Sequence, residues 1–326
     1  MIVFIARRIF QAIVTLMVIA LVLFVGLQAI GNPADVLLSP DATQQETADA
    51  IARLGLDKPL WMQYVFFLLN AVRGNFGNSF VYGRPVVDLI AQRLPATLEL
   101  AVVALAITVV FSIPLGIYAG LRPKALGAKI VVAISIVAFS LPAFWIGLQL
   151  VLLFAVQLHW LPSGGRAKGT IDVLGLDISL FTPDGWKYLL MPATTLALFQ
   201  IAYIMRLMRA SVREVALADH VRFARAKGLP RHRIILAHIL KNALIPVVTV
   251  LGMEFGQMIA LTVVVERVFA WPGLGSMLLE AIFRLDRPVV IGVLMTTISI
   301  VIFINMVVDI VATIIDPRVK LGEEAS

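Results

Sequence analysis

The sequence predicts an all-α integral membrane protein with six transmembrane helices, organised as one domain over residues 1–326. Composition is the first observation: 60% of the residues are hydrophobic and 14% charged, with a mean hydropathy of +0.95. Soluble domains are about half apolar and a quarter charged. The second is length, since six apolar stretches come near the ~20 residues that a helix needs to cross about 30 Å of hydrocarbon. Basic residues then gather in alternate loops, the third observation, which orients the chain by the positive-inside rule.

The elements follow in order. Span one, Ile9 to Ile30, trails Arg7 and Arg8 in the manner of a secretory signal. Its apolar run exceeds the roughly 7–15 residues of a signal core and no cleavage site is evident, so it reads as a retained anchor. Residues 31–97 form a long external loop. Within it Thr43-Gln-Gln-Glu46 fits a capping box that starts a short helix ending at Gly55, and Pro59 opens a second helix through Trp61, Tyr64 and Phe67. Both are expected to cover the outer mouth. Gly74 to Ser79 and Leu161 to Gly165 are turn-rich connectors.

Span two, Leu98 to Leu121, places Glu99 in the first turn after Pro95, where a carboxylate complements the helix dipole. Span three, Ile130 to Leu158, is expected to kink at Pro142, because proline removes a backbone hydrogen bond and clashes with the preceding turn. Spans four, five and six are Tyr188 to Leu207, Ala243 to Val265 and Val289 to Ile315. No internal repeat or low-complexity tract divides them.

Charge sets the orientation. The loop 122–129 holds Arg122, Lys124 and Lys129 with no acid, and the loop 206–242 holds nine Lys or Arg against Glu214 and Asp219. Both fall on the side of Arg7 and Arg8, so both termini are expected in the cytoplasm. Lys124 and Arg231 should then be inside, with Asp49 and Gly164 outside. The same pattern accounts for the net charge of +7. A nucleic-acid surface would need aromatic side chains for base stacking among the cations, and Phe223 is the single one available, so no nucleic-acid partner is expected.

Several chemistries are excluded. Cysteine is absent, which removes disulfides, thiolate metal sites and cysteine nucleophiles. The chain has no phosphate-binding G-x-x-x-x-G-K-[ST] and no H-E-x-x-H or G-x-S-x-G, so neither a nucleotide site nor a hydrolase centre is predicted. His232 and His238 have a loose metal spacing, but no clustered carboxylates accompany them, and no metal or catalytic residue is assigned.

Two regions carry the functional expectations. In the cytoplasmic stretch 208–242, a short helix from Ala218 to Lys227 is stopped by Gly228 and Pro230 and flanked by cations, which suits projection into a soluble partner. Asp219, Val221, Arg222, Ala224, Arg225, Lys227 and Gly228 are its candidate contact residues, with Val221 and Ala224 as the face buried in that partner. Arg206, Arg209 and Arg213 share one face and extend span four beyond the membrane. In span five, Glu254 stands at membrane depth, where an ionised group costs about 3 kcal/mol on insertion scales. Gly252, Gly256 and Ala260 make a small-residue stripe for helix packing, about 160° from Glu254 at the helical period. Glu254 and Gln257 are therefore candidates for lining a polar pathway, with structural pairing inside the bundle as the other reading. Asn305, Asp309 and Thr313 form a polar stripe in span six, serving interhelical hydrogen bonds or the pathway.

Taken with their order and spacing, these pieces resemble the dipeptide/oligopeptide/nickel group of ABC importer permeases, specifically the first of the two permease subunits. The resemblance runs through Arg7-Arg8, Leu54-Gly-Leu-Asp-Lys-Pro59, Gly83-Arg-Pro85, Arg93-Leu-Pro-Ala-Thr-Leu-Glu-Leu100, Leu161-Pro-Ser-Gly-Gly165, Arg222-Phe-Ala-Arg-Ala-Lys-Gly228, Asn242-Ala-Leu-Ile-Pro246, Glu266-Arg-Val-Phe-Ala-Trp-Pro-Gly-Leu-Gly275 and Asp316-Pro-Arg318. In the wider superfamily's Glu-Ala-Ala-x-x-x-Gly signature, Arg222 takes the acidic position here while Ala224 and Gly228 remain. The closing proline is displaced to Pro246, and relatives tend to be neutral where Glu254 stands.

The resemblance implies a type I importer permease core in a bacterial inner membrane, joined by a similar second permease, two cytoplasmic ATPases and an external solute-binding protein. The chain itself would bind no cofactor, ATP being used by the partner subunits through the helix ending at Gly228. Peptides are the implied substrates, with nickel complexes, glutathione, opines and sugars used by relatives. Read from residues alone, the alternative is a proton-coupled secondary transporter using Glu254 and Asp309; inverted repeats would favour it, and none is visible.

Overall fold

A computed structural model describes residues 2–29, 45, 58–173 and 176–315. The Thr43–Glu46 capping box, Asp49, Gly55 and the Asp316-Pro-Arg318 piece lie outside the described residues. The elements are α1 (Ile2–Ala29), α2 (Leu60–Val72), α3 (Val86–Leu121), α4 (Leu126–Ser140), α5 (Ala143–Gln157), β1 (Ile171–Val173), β2 (Leu176–Ile178), α6 (Gly185–Leu217), α7 (Asp219–Ala226), α8 (Arg231–Val268), α9 (Leu274–Phe283) and α10 (Arg287–Ile315). Helices α1, α3, α6, α8 and α10 are long and apolar enough to cross a membrane, and α4 with α5 makes a sixth candidate. Pro59 caps α2 as expected, while β1 and β2, paired antiparallel with Ile171 opposite Ile178, are too short for the sequence to have announced them.

Two expectations are corrected. The kink at Pro142 is a break of 105° between α4 and α5. Proline forces the residue before it out of the helical region, so Leu141 and Pro142 are both extended, with ψ of 136° at each, and two successive residues are lost to the helix. Glu99 is not in a first turn, because α3 begins at Val86 and carries Pro95 inside it. Membrane helices tolerate such prolines where neighbours satisfy the freed backbone groups.

Packing divides the chain into two compact units, Met1–Pro95 with Gly273–Phe303, and Ala96–Pro272 with Ile304–Ser326. In the first, Val86, Leu89 and Ile90 pack with Leu274, Met277, Ala281, Val289 and Val293. A buried carboxylate fastens its connector: Asp286 accepts from the Ser79 hydroxyl and from the Phe80 and Val81 N–H groups, the latter at 3.1 and 3.2 Å. Tyr64 of α2 donates to the Met17 carbonyl of α1 at 2.8 Å.

In the second unit, helix α3 meets α6 through Gly116 and Gly120. A Cβ on Gly116 would lie 2.6 Å from Met208 Cβ, and one on Gly120 2.7 Å from Val212 Cγ1. Lipid is as apolar as the side chains, so such seams are held by close van der Waals packing rather than by the hydrophobic effect, and glycines spaced by four permit it. This pair escaped the sequence reading.

The bent pair α4–α5 also crosses this unit from end to end. Helix α4 starts beside the end of α3, where Gly127 meets the Tyr118 hydroxyl, while α5 passes Gly147 against Phe269 and leads to Gly165, whose N–H donates to the Phe269 carbonyl at 2.7 Å. A re-entrant loop would return to its starting end. With this broken pair counted as one, the described residues hold six candidate spans.

Candidate coupling and pathway sites

Helix α7 hangs between α6 and α8. Val221 is fully buried and Ala224 nearly so, but within this chain, in one apolar cluster that continues through Ile204, Met208 and Val212 of α6 and Ile234, Ile239, Ala243 and Val247 of α8. This corrects the expectation that those two face a partner. Their spacing of three is the apolar stripe of an amphipathic helix, and the nearest apolar surface is the chain's own. The opposite face carries Asp219, Arg222 and Phe223, with Lys227 at its flank, all exposed; Arg225, also exposed, turns back to donate to the Ala216 carbonyl of α6 at 3.4 Å. Phe223 is 69% exposed, an apolar residue on the outer face that the sequence reading counted as an aromatic and not as a contact. Arg222 and Asp219 pair at 3.6 Å, an exposed contact contributing about 0.3–0.5 kcal/mol at most.

The stop at Gly228 is as expected from the sequence. Its φ is +71°, a left-handed conformation that glycine adopts without cost. Gly228 N–H donates to the Arg225 carbonyl at 3.0 Å and Leu229 N–H to the Ala224 carbonyl at 3.3 Å, the paired bonds of a Schellman C-cap. Beyond it Pro230 leads into α8, whose residues Ile234–Leu240 are wound as a π-helix, a winding that recurs at functional sites. His220 and Asn242 join α7 to α8, their side chains 3.3 Å apart, with Asn242 donating to the His238 carbonyl at 2.9 Å. Among the described residues no group of three or more His, Cys, Asp or Glu could hold a metal ion. Arg209 and Arg213 continue α6 past the expected end of span four at Leu207, and the Arg206 guanidinium lies 4.6 Å over the Phe139 ring.

On α8 the predicted division of faces is partly realised. Gly252 packs on α10, where a Cβ would overlap both γ-carbons of Val308, and Glu254 is buried. Ala260 and Gln257 are exposed, so Ala260 drops out of the packing stripe and Gln257 does not share the burial of Glu254. On α10, Asn305 Oδ1 is buried without a hydrogen-bond partner, and Asp309 is partly buried and engaged in an interaction; the side chain of Thr313 lies outside the described residues.

At the other end of the second unit, three motifs distant in sequence converge. Trp271 Nε1–H donates to the Ala96 carbonyl at 2.9 Å, and Thr97 donates to Glu266 Oε1 at 2.7 Å. Gly164 fits against the Phe269 backbone, where no Cβ could stand. Glu99 receives Arg166 and the Ser179 hydroxyl, so its role is to pin the β-hairpin segment rather than to complement a dipole.

The comparisons agree with these features. Residues 112–321 match the family model for the binding-protein-dependent transport system inner membrane component, and residues 1–101 match the corresponding N-terminal model. The chain is similar to the di/tripeptide transport system permease protein DppB of Pseudomonas aeruginosa, 37% identical over 97% of this chain and 98% of that one. It is 34% identical to the oligopeptide transport system permease protein AppB of Bacillus subtilis, over 97% and 99% of the two chains. The dipeptide transport system permease protein DppB of Escherichia coli is 33% identical, over 97% and 98%.

Proposed function

From the premise that this chain belongs to the binding-protein-dependent transport system inner membrane component family, we propose that it is one of two similar permease subunits of a peptide ABC importer. It forms half of the translocation pathway, and its partners are two cytoplasmic ATPases and an external solute-binding protein. The ATPases hydrolyse ATP; this chain has no ATPase site and carries no cofactor. Both termini and α7 face the cytoplasm. Residues 1–326 act as one permease domain, and small peptides are the substrates, in keeping with the names of its relatives.

The observation that carries this reading is the two-sidedness of α7. Its apolar residues join the buried cluster of both α6 and α8, while Arg222 and Phe223 lie on its exposed outer face. A push on the outer face is therefore transmitted to two spans at once, the rigid-body coupling that such a switch needs. Closure of the ATPases on ATP would displace α7, tilt α6 and α8, and turn the pathway outward. Purification of the native complex in mild detergent, followed by mass spectrometry, tests it: two permeases, ATPase subunits and a peptide are expected, and a homodimer without an ATPase would overturn it.

A further inference from the structure

Buried polar side chains in the second unit lack the partners that burial demands. Gln200, in the middle of α6, is 1% exposed, and neither its Oε1 nor its Nε2 has a hydrogen bond. Ser112 Oγ of α3 is buried and likewise unpartnered. Glu254 of α8 is also buried, 9% exposed. Each unmet group is destabilising unless something else supplies the bond.

Helix register brings two of them together. Ser211 Oγ donates to the Ala243 carbonyl at 2.9 Å, which fixes α6 against α8. The helices run in opposite directions, since Thr195, Leu196 and Phe199 share a cavity wall with Leu261, Val264 and Val265 at the far end. Gln200 comes eleven residues before Ser211, and Glu254 eleven residues after Ala243. Both therefore lie about 16 Å along from that contact, at 1.5 Å per residue. Eleven residues also turn the helix through about 1,100°, within about 20° of three whole turns, so each stays on the face its helix presents at Ser211 and Ala243. A carboxylate and a carboxamide thus lie near one level on the facing sides of α6 and α8, without bonding each other. Ser112, one turn from Gly116 on the face of α3 that meets α6, lies within about a turn of the same level.

We propose that Glu254 and Gln200 form a binding site for the free amino end of a peptide, an inference that rests on the importer reading above. Glu254 receives the α-ammonium, while the Gln200 carboxamide pairs with the first peptide unit, Nε2 donating to its carbonyl and Oε1 accepting its N–H. A cation is the partner because the nearest guanidinium on α6 is engaged elsewhere, with Arg206 lying over Phe139 and donating to the Ala202 carbonyl. Opening of the seam admits the ligand. The π-wound stretch Ile234–Leu240 and Pro246 give α8 a place to bend on the α7 side of Glu254.

The test uses the complex purified with its partner subunits but without the binding protein, its thermal unfolding followed against alanyl-alanine and N-acetyl-alanyl-alanine. Saturable stabilisation by alanyl-alanine alone is expected, with Glu254→Gln and Gln200→Leu each weakening the apparent affinity about tenfold, the scale of a lost charge-assisted hydrogen bond. Equal responses to the two dipeptides, no response in the wild type, or an undiminished response in the variants overturns the site. Should a variant fail to assemble, the wild-type comparison still decides. Absence of ATPase subunits from the preparation would instead contradict the importer reading.

Discussion

Arg166 donates two hydrogen bonds to one carboxylate oxygen of Glu99, from Nη2 at 2.7 Å and Nε at 3.1 Å. Ser179 donates to the other oxygen at 2.8 Å, and Arg166 Nη2 also reaches the Asp177 carbonyl. The Glu99 side chain is 1% exposed. Removing one member of such a pair leaves a buried charge without compensation, at a cost of about 3 kcal/mol or more. Arg166→Ala is therefore expected to lower the unfolding temperature of the complex by several degrees. Arg166→Ala with Glu99→Gln should recover part of that loss, which a double-mutant cycle on the unfolding midpoint measures.

The seam between α8 and α10 is expected to be limited by volume at Gly252. Gly252→Val drives a branched side chain into Val308, so the variant should assemble poorly. Val308→Ala in the same chain should restore part of the assembly, because it vacates the two nearest γ-carbons while the Cβ at 2.8 Å remains. Yield of monodisperse complex on size exclusion reads both effects; an equal yield from wild type and Gly252→Val would show that the seam is loose.

Gly228 has its own conformational requirement. A β-branched residue at φ +71° costs about 1–2 kcal/mol, whereas asparagine tolerates that region. Gly228→Val is expected to leave membrane insertion intact but uncouple ATP hydrolysis from the loaded binding protein. Gly228→Asn should retain most of the coupling, as measured by stimulated ATPase activity in proteoliposomes.

Topology is open to direct labelling, since the chain contains no cysteine. In the second unit Arg231 shares a cavity wall with Gly120 and Leu121, near Lys124, while Gly164 sits against Phe269 at the opposite end. Single cysteines at 124 and 231 should be protected from an impermeant maleimide in intact cells, and one at 164 labelled. Labelling at 231 would contradict six crossings.

Much of this was legible because membrane insertion is governed by local composition. The apolar lengths, the stop at Gly228 and the extension of α6 through Arg213 all follow from properties of consecutive residues. What escaped depended on tertiary neighbours. Gly116 and Gly120 could be read as a packing pair only once α6 was known to face them, and Glu99 looked like a helix-dipole residue until Arg166 arrived from a later loop. Gln200 is one polar residue in an apolar span, silent until register sets it against Glu254. Val221 and Ala224 were assigned to the wrong surface because an amphipathic pattern identifies an apolar face without saying what covers it.

As proposed, α7 is the part of this chain on which an ATPase acts, through the face that bears Phe223. A single cysteine at 223, paired with a cysteine in the permease-facing groove of the co-expressed ATPase, tests it by oxidative cross-linking in native membranes. A cross-link at 223 whose yield changes with ATP is expected, and none at 221, where Val221 is buried against α6 and α8. A cross-link at 221 without one at 223, or no ATPase adduct at either position, would contradict it.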